Sequence, residues 1–429
     1  MNDTGTAVVQ SNAVFGFPTP LLLFSSAVLT AGLDARPLKF DFGNTATGPG
    51  FTAVTPEDVF TAERGYGFDL GFPVKAESRG GDAVKGDLVT GDGGFYFSVA
   101  LPQGNYDVTV LLGDPAGKSD TTVKAESRRL MLENVVTAEK EQMARKFTVN
   151  IRQAAYPGGN VGLKDREKPY LHWDNKLTLE FNGPRPCVAA VEIKPAPEAP
   201  TLYLLGDSTV TDQPYEPWNS WGQMFTRFFK TGVAIANQAE SGESLGSSLS
   251  ARRVAKVLAE MKKGDYVFIQ FGHNDMKSKA PDALQKYEER LGKLVRDIQQ
   301  KGGTPVLVTP MERKGGVEKD TLGGYPDAMK RVAEKKKAAL IDLHAMSRQL
   351  YVGLGKDLNA AFQDGTHHNN FGSYEIAKCV VEGIRKEKLP LAAMLADDVK
   401  PFDPSNPDSV SGFIYAVSPL KDLTKPDGN

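Results

Sequence analysis

The sequence predicts two domains of different class, an all-β sandwich followed by an α/β domain with a parallel sheet. Its 429 residues exceed the usual size of a single hydrophobic core, so two domains are expected. The first half shows short alternating runs that turn residues interrupt. The second half shows longer apolar runs that alternate with helical stretches. These three observations indicate both the classes and their order along the chain.

The first predicted domain spans residues 36–194 and consists of short segments in which apolar and polar side chains alternate. Residues 94–114, GFYFSVALPQGNYDVTVLLGD, predict two strands joined by a Pro-Gln-Gly-Asn turn. The same pattern continues in RKFTVNIR, LHWDNKLTLEFNG and VAAVEIKP. Frequent strands and turns without a clear helix predict an all-β sandwich.

The second predicted domain, residues 201–390, follows a linker at residues 195–200, where alternating Pro and Ala give a semi-rigid connection. Five apolar runs predict strands: TLYLLG, VAIANQ, DYVFIQFG, TPVLVTP and AALIDL. Helical stretches are expected near residues 218–230, 249–262, 281–301 and 325–337. Apolar strands alternating with amphipathic helices predict a parallel sheet with helices on both faces. The tail, residues 391–429, is rich in Pro, Asp and Ser and is expected to wrap the surface.

The composition excludes several classes of protein. Hydrophobic residues make up 40% and charged residues 24% of the chain, which is typical of a soluble globular protein. A formal net charge of −2 argues against a nucleic-acid partner, which favours a basic excess. The two cysteines, Cys187 and Cys379, are too few for a disulfide framework or a cysteine metal cluster, and we expect free buried thiols.

Residues 1–35 are predicted to be a signal or targeting segment. Residues 13–27, AVFGFPTPLLLFSSA, are apolar and end in small residues, as the central region of a signal peptide does. Residues 1–12 contain no Lys or Arg, which makes the segment atypical. The apolar run is too short and too interrupted by Pro to span a membrane.

Chemistry-bearing side chains follow the predicted strands of the second domain, where ligands of open parallel sheets bind. GDST follows the first strand, SG follows the second, GHND follows the third, and DGTHHNN precedes a late helix. Each block alone has an ordinary structural explanation: Ser208 as a helix cap, Gly242 as a turn residue and Asn274 in an Asx turn.

Together these blocks fit one mechanism. A serine hydroxyl such as that of Ser208 needs a base in hydrogen-bond reach, and a carboxylate to orient that base. Asp364 and His367, three residues apart, allow one loop to supply both. The tetrahedral intermediate needs preorganised donors, which the backbone N–H groups of Ser208 and Gly242 and the side-chain amide of Asn274 would provide. No G-x-S-x-G elbow is present.

The blocks GDST, SG, GHND and DGTH, in this order, resemble those of the SGNH (GDSL-type) hydrolases. The family name lists the Ser, Gly, Asn and His that are matched here by Ser208, Gly242, Asn274 and His367, with Asp364 completing the triad. The resemblance implies a flavodoxin-like three-layer α/β/α fold and ester hydrolysis without a metal or a cofactor.

A narrower likeness extends over nearly the whole chain. GDST in place of GDSL, together with SWGQ, FGHND and DGTHHN, is similar to the rhamnogalacturonan acetylesterases. FDFGNTATGPGFTAV, RGYGFD and LPQGNYDVTVLLGD resemble the N-terminal module of two-domain bacterial members, a galactose-binding-like sandwich. The resemblance implies an enzyme that removes O-acetyl groups from a plant cell-wall polysaccharide, with rhamnogalacturonan as the expected substrate. Because such a polymer is met outside the cytoplasm, we expect a secreted or periplasmic location. We also expect a monomer with neither a nucleic-acid nor a membrane partner.

Two alternatives stay open at this point: an SGNH esterase acting on acetyl xylan, small esters or lipids, and an inactive carbohydrate-binding protein. His367 is the expected base by the Asp-x-x-His spacing and by resemblance. Its neighbour His368 is expected at the surface or facing substrate. Asp207 and Asp275 are expected to support nearby loops through hydrogen bonds, and His273 is expected to be structural or to line the site.

Overall fold

The computed structural model describes residues 36–43 and 47–427. The predicted targeting segment, residues 1–35, lies outside the described residues. None of the helices in the described part of the chain has both the length and the apolar character that crossing a bilayer requires. From Arg36 onward the chain belongs to one compact unit, so the two predicted domains pack against each other.

The first domain is a sandwich of two sheets. Its strands, in chain order, are β1 (Leu38–Phe42), β2 (Thr52–Val54), β3 (Tyr66–Asp69), β4 (Lys75–Ser78), β5 (Asp87–Thr90), β6 (Phe95–Ala100), β7 (Gly104–Leu112), β8 (Ser119–Ala125), β9 (Arg129–Thr137), β10 (Met143–Ile151), β11 (Ala155–Tyr156), β12 (Gly159–Asn160), β13 (Lys176–Arg185) and β14 (Cys187–Pro195). One sheet has the order β10-β7-β14-β1-β2, with β5 also paired to β14 and β4 to β5. The other has the order β3-β6-β13-β8-β9, and β11 and β12 form a separate hairpin.

Period-two alternation places the core of this sandwich. In β7, Tyr106, Val108, Val110 and Leu112 are buried, whereas the residues between them are only partly buried. Aromatic rings from several strands fill the space between the sheets, as in the edge-to-face contact of Phe42 with Phe97 at 4.9 Å between ring centroids. The all-β sandwich predicted from turn spacing is therefore confirmed.

The second domain is built on a five-stranded parallel sheet. Its strands are β15 (Thr201–Gly206), β16 (Ala234–Asn237), β17 (Tyr266–Gln270), β18 (Thr304–Val308) and β19 (Ala339–Ile341), which correspond to the five predicted apolar runs. The spatial order is β16-β15-β17-β18-β19, with every pairing parallel. Numbered within the domain, this order is 2-1-3-4-5, the flavodoxin-like arrangement.

Helices cover both faces of this sheet and complete three layers. They are α1 (Trp221–Phe225), α2 (Leu245–Ser250), α3 (Arg253–Glu260), α4 (Ala283–Gln300), α5 (Tyr325–Lys336), α6 (Leu343–Leu354) and α7 (Asn370–Lys386). Leu202 and Leu204 of β15 share a core with α1, α6 and α7. Tyr203 and Leu205, which point the other way, share a core with α3, α4 and α5.

Two predicted helices differ from the observed ones. The helix expected over residues 218–230 reduces to α1, which continues as a 3₁₀ turn at Thr226–Phe228. The helix expected over residues 249–262 is divided into α2 and α3. The division occurs at Arg252, whose left-handed backbone (φ 63°) is incompatible with a continuous α-helix.

The two cysteines are free thiols, as predicted. Cys187 lies in β14 and Cys379 in α7, and both are buried. Burial raises the pKa of both thiols, which keeps them protonated and unreactive at neutral pH.

A turn of the sandwich projects into the second domain. Arg128, between β8 and β9, is only 1% exposed. Its guanidinium lies 2.7 Å from the Glu216 carboxylate and donates to the carbonyl of Trp218 at 2.8 Å and of Gln213 at 3.3 Å. The neighbouring Arg129 donates to the carbonyl of Ile235 in β16 at 3.2 Å. The part of the domain interface around these two arginines is therefore polar and buried.

The C-terminal tail returns to the sandwich, and the expectation that it only wraps the surface is wrong at Ser418. That residue is completely buried, and its hydroxyl donates to the Glu180 carboxylate at 2.6 Å. The ammonium of Lys124 donates to Glu180 at 3.0 Å and to Ser418 at 2.8 Å. Burial is favourable here because the tail completes the hydrogen bonding of a buried ion pair.

His368 is also placed differently from the prediction. It is 3% exposed, and its Nε2 lies 3.1 Å from the Tyr351 hydroxyl. Its ring packs at a tilt against that of Phe362, with centroids 4.1 Å apart. The backbone at His368 forms antiparallel bridges with Asn219 and Phe362 and is therefore extended. Successive side chains of extended backbone point to opposite sides, so His367 and His368 cannot face the same surface.

Replacing Lys124 with Met should destabilise the fold. The variant keeps the apolar stem but leaves the Glu180 carboxylate buried without its cation, which costs about 3–5 kcal/mol. Chemical denaturation would measure this loss. Lys75→Met is the matched control because Lys75, 56% exposed, pairs with the exposed Asp92, and its loss should cost no more than about 1 kcal/mol. Equal stability of the two variants would contradict this account.

Burial of His368 should make the protein sensitive to acid. Desolvation lowers the pKa of His368 from 6.5 to about 3, so the unfolded chain binds this proton more strongly. The free energy of unfolding should therefore fall as the pH falls from about 6.5 to about 3. In His368→Gln the slope in this window should decrease by up to about 1.4 kcal/mol per pH unit. Denaturation at several pH values tests this, and parallel curves for both proteins would refute it.

Candidate active site

The predicted chemical groups gather at one edge of the parallel sheet. β15 and β17 are neighbours that leave the sheet at Gly206 and Gln270, and their connections diverge there. Ser208 follows β15 by two residues, and Asn274 follows β17 by four. Gly242 follows β16. The carboxyl ends of parallel strands meet at such a switch point, so the fold brings these loops together.

Ser208, His367 and Asp364 form a continuous chain of hydrogen bonds. The Ser208 Oγ lies 2.8 Å from the His367 Nε2, and the His367 Nδ1 lies 2.8 Å from the Asp364 Oδ2. Ser208 and His367 are 2% and 1% exposed. Ser208 and His367 are 159 positions apart in the sequence, and the fold brings them into direct contact.

Asp364 is held in its ionised form. Burial by itself would raise the pKa of Asp364, but hydrogen bonds from the His367 ring and from the backbone N–H groups of His367 and Thr366 bring this pKa well below its usual range. Both backbone groups donate to Oδ1 at 2.7 Å. The ammonium of Lys425 lies 3.4 Å from Oδ2. A carboxylate at Nδ1 favours the tautomer whose Nε2 accepts a proton from Ser208.

Trp218 packs on the imidazole of His367. The two rings meet edge to face, with centroids 5.7 Å apart and planes at 85°. The backbone N–H of the next residue, Asn219, donates to the carbonyl of His368 at 3.2 Å. These contacts restrict the ring of His367 to one orientation.

The turn that carries Ser208 is fixed by side chains on both sides. Asp207 accepts from the backbone N–H of Thr209 at 2.9 Å and from its hydroxyl at 2.8 Å. The side-chain amide of Gln213 donates to the Ser208 carbonyl at 2.8 Å, and that of Gln270 donates to the Thr209 hydroxyl at 2.6 Å. Because the next helix begins only at Trp221, Ser208 is not a helix cap.

Gln213 and Gln270 did not emerge from the sequence as site residues. Gln270 is the last residue of the otherwise apolar β17, and a polar side chain at that position was an available signal. Gln213 lies in an irregular loop, where no pattern distinguishes it.

Gly242 and Asn274 lie in the loops that follow β16 and β17. Gly242 adopts a left-handed backbone (φ 80°), which a residue with a Cβ rarely adopts. The side-chain nitrogen of Asn274 donates to the carbonyl of Glu243 at 3.0 Å, and its oxygen accepts from Lys277 at 2.8 Å. A primary amide has two N–H groups, so one bond leaves the second N–H of Asn274 for a ligand.

The two aspartates beside these loops form local hydrogen bonds. Asp275 accepts from the backbone N–H of Leu245 at 3.0 Å, and burial raises the pKa of Asp275 to about 7. The Asp207 Oδ2 lies 3.3 Å from the Nδ1 of His273. Burial would raise the pKa of Asp207, but His273 and Thr209 hold it below its usual value.

One group within residues 36–43 and 47–427 combines side chains of the types that bind metals: Glu312, Asp320 and His344. The Glu312 carboxylate already accepts from the backbone N–H groups of Arg313 at 2.7 Å and Thr321 at 3.2 Å, and lies 3.1 Å from the His344 ring. These hydrogen bonds account for its burial without an ion.

Comparison with known proteins places the two domains in separate families. Residues 204–373 match the GDSL-like lipase/acylhydrolase family. Residues 38–153 match the β-agarase/YXIM esterase-like, galactose-binding domain-like family. The second match agrees with the sandwich that the structure shows in this region.

Three relatives come from Bacillus subtilis (strain 168). Rhamnogalacturonan acetylesterase RhgT is 37% identical over 212 residues, which cover 44% of this chain and 91% of RhgT. The uncharacterized esterase YxiM is 25% identical over 392 residues, which cover 86% of this chain and 96% of YxiM. The probable rhamnogalacturonan acetylesterase YesY is 29% identical over 205 residues, covering 44% of this chain and 94% of YesY.

The match to RhgT spans nearly all of that protein, and the match to YxiM extends over both domains of this chain. The flavodoxin-like strand order and the position of the serine after the first strand of the sheet are those of an SGNH hydrolase. The chain therefore belongs to the GDSL-like lipase/acylhydrolase family and is a carboxylic ester hydrolase with an N-terminal galactose-binding-like domain.

Proposed function

We propose that this protein is a serine esterase that removes O-acetyl groups from rhamnogalacturonan through an acetyl-enzyme intermediate. The continuous hydrogen-bond chain from Ser208 through His367 to Asp364 is the observation that carries this proposal. The similarity to the rhamnogalacturonan acetylesterase RhgT and to the probable rhamnogalacturonan acetylesterase YesY supports acetylated rhamnogalacturonan as the substrate.

In the first half of the proposed reaction, the Ser208 Oγ attacks the acetyl carbonyl carbon while its proton moves to the His367 Nε2. Asp364 stabilises the imidazolium that forms, because its carboxylate remains charged and hydrogen-bonded to Nδ1. Collapse of the tetrahedral intermediate breaks the bond to the sugar oxygen, which takes the proton from Nε2. The sugar leaves with a free hydroxyl, and the acetyl group remains on Ser208.

In the second half, water attacks the acetyl carbonyl carbon while its proton moves to the His367 Nε2. The bond to the Ser208 Oγ then breaks, acetate leaves, and the proton returns from Nε2 to Ser208. The proposed oxyanion donors are the backbone N–H groups of Ser208 and Gly242 and the free N–H of Asn274. Donors that are fixed before the reaction stabilise the developing charge without reorganisation. The three loops that carry them are held by the hydrogen bonds described above, which supports this assignment.

All five groups of the proposed mechanism belong to one chain, so the reaction requires no second subunit. All five lie within residues 204–373, the region that matches the hydrolase family. Because a cell-wall polymer is met outside the cytoplasm, the proposal includes a secreted or periplasmic location.

An acetate-release assay on several substrates tests the proposed function. The value of kcat/KM should be highest for acetylated rhamnogalacturonan, lower for acetylated xylan, and lowest for an ester of a long acyl chain. Ser208→Ala should lower kcat by about 10⁴- to 10⁶-fold, as loss of a triad nucleophile does. Ser250→Ala, which removes an exposed hydroxyl from α2, is the matched control and should leave kcat unchanged.

Three outcomes of this assay would contradict different parts of the proposal. A preference for xylan or long-chain esters would replace the substrate and keep the mechanism. Activity of a folded Ser208→Ala protein near that of the wild type would overturn the mechanism itself. Saccharide binding without hydrolysis of any acetyl ester would make the protein a carbohydrate-binding member of the family.

The variant Asn274→Ala measures how much the proposed oxyanion donor contributes to kcat while leaving the Ser208–His367–Asp364 triad in place. Loss of one oxyanion donor typically costs about 10²- to 10³-fold in kcat. We expect a decrease of this size with little change in KM, because the donor acts mainly on the charge that develops in the transition state. Steady-state kinetics on a small acetyl ester measures both constants. An unchanged kcat would remove Asn274 from the proposed oxyanion hole.

A further inference from the structure

A loop of the sandwich domain binds the loop that carries Gly242. The ammonium of Lys164 donates to the carbonyl oxygen of Ser241 at 2.6 Å. The guanidinium of Arg166 donates to the same oxygen at 2.9 Å. Two cationic side chains from the first domain therefore converge on one backbone carbonyl of the second domain.

That carbonyl belongs to the same amide group as the N–H of Gly242. A peptide unit is planar, and in its trans form the C=O and the N–H point in opposite directions. Holding the oxygen of Ser241 from one side therefore fixes where the N–H of Gly242 points on the other. Two charge-assisted bonds to the oxygen also polarise the amide and strengthen its N–H as a donor.

The sandwich loop is itself anchored firmly enough to act as a support. The Nη2 of Arg253 in α3 donates to both carboxylate oxygens of Glu167 at 2.7 Å, and both side chains are completely buried. The backbone of Lys164 donates to Glu167 at 2.9 Å, and that of Gly162 donates to the carbonyl of Ala251 at 2.9 Å. A buried, charge-assisted pair of this kind restricts the position of the loop.

The charges of the two cations are already balanced by protein groups. Lys164 lies 3.2 Å from the Glu243 carboxylate. Arg166 pairs with Glu240 and lies 2.7 Å from Asp427. Because each cation has acidic partners, the geometry favours support of the loop over capture of an anionic substrate.

We propose that Lys164 and Arg166 are positioning residues that orient the backbone N–H of Gly242 for the oxyanion. The galactose-binding-like domain then takes part in the acetyl-transfer step itself. This inference rests on the proposed function, because it takes Gly242 as one of the oxyanion donors.

Kinetics of the full-length protein on p-nitrophenyl acetate test the inference, since this small neutral ester needs no carbohydrate site. Lys164→Met and Arg166→Met should each lower kcat about tenfold, and the double variant should approach the 10²- to 10³-fold loss of a missing donor. KM should stay within about twofold of the wild type. Lys164→Arg, which keeps a cationic donor, should retain most of the activity.

Lys168→Met is the matched control. Lys168 lies in the same loop, is 64% exposed and pairs only with Asp165 among the described ion pairs, at 2.6 Å. Its replacement removes a lysine of the loop without touching the Ser241 carbonyl, and kcat should remain unchanged. Melting temperatures of all variants show whether any loss of activity reflects unfolding.

Inhibition by phenylboronic acid distinguishes positioning from a general structural role. The boronate forms a tetrahedral anionic adduct with a serine hydroxyl, so its affinity depends on the same donors as the transition state. Its inhibition constant should rise in the double variant by about the factor by which kcat falls. A lower kcat with an unchanged inhibition constant would overturn the inference, as would an equal loss in Lys168→Met.

The failure of this inference is distinguishable from failure of the proposed function. If Ser208→Ala is inactive while the Lys164/Arg166 double variant keeps both kcat and boronate affinity, the inference is overturned and the esterase mechanism stands. If Ser208→Ala retains activity, the mechanism and the inference fall together.

Discussion

The buried guanidinium of Arg128 is the interaction on which the joined architecture depends. A charge removed from water costs several kcal/mol unless partners surround it. All the partners named above, Gln213, Glu216 and Trp218, come from the other domain. Gln213 in turn holds the carbonyl of Ser208, and Trp218 packs on His367. The residues that compensate the charge of Arg128 therefore also hold Ser208 and His367, the two groups that would exchange a proton.

The sandwich reaches the candidate site from a second direction as well. Lys164 and Arg166 bind the carbonyl of Ser241, in the loop that carries Gly242. The parallel sheet supplies the strand ends from which the chemical groups emerge. The sandwich supplies buried or paired cationic side chains that hydrogen-bond to the loop after β15 and to the loop after β16. The candidate site is therefore built by both domains of the described chain rather than by the α/β domain alone.

The strands and the candidate site were predictable because their signals are local. A buried parallel strand such as β17 reads as an uninterrupted apolar run, and topology dictates that groups following such runs converge. The contacts of Arg128 and Lys164 were not predictable, since each joins segments distant in sequence and leaves no periodic pattern. The misplacement of His368 has a similar cause. Its side chain points away from that of His367 only because the backbone there is extended, which the motif DGTHHN does not reveal.

The return of the tail to the sandwich has a consequence for how the molecule is made. Ser418 is synthesised 294 residues after Lys124, yet it completes the hydrogen bonding of the Lys124–Glu180 pair. Domains of a growing chain fold from the N-terminus onward. Here the sandwich emerges from the ribosome before the α/β domain, but its Lys124–Glu180 pair is completed by a segment that follows the α/β domain in the chain. The sandwich therefore emerges before the α/β domain but can be completed only after that domain has been synthesised.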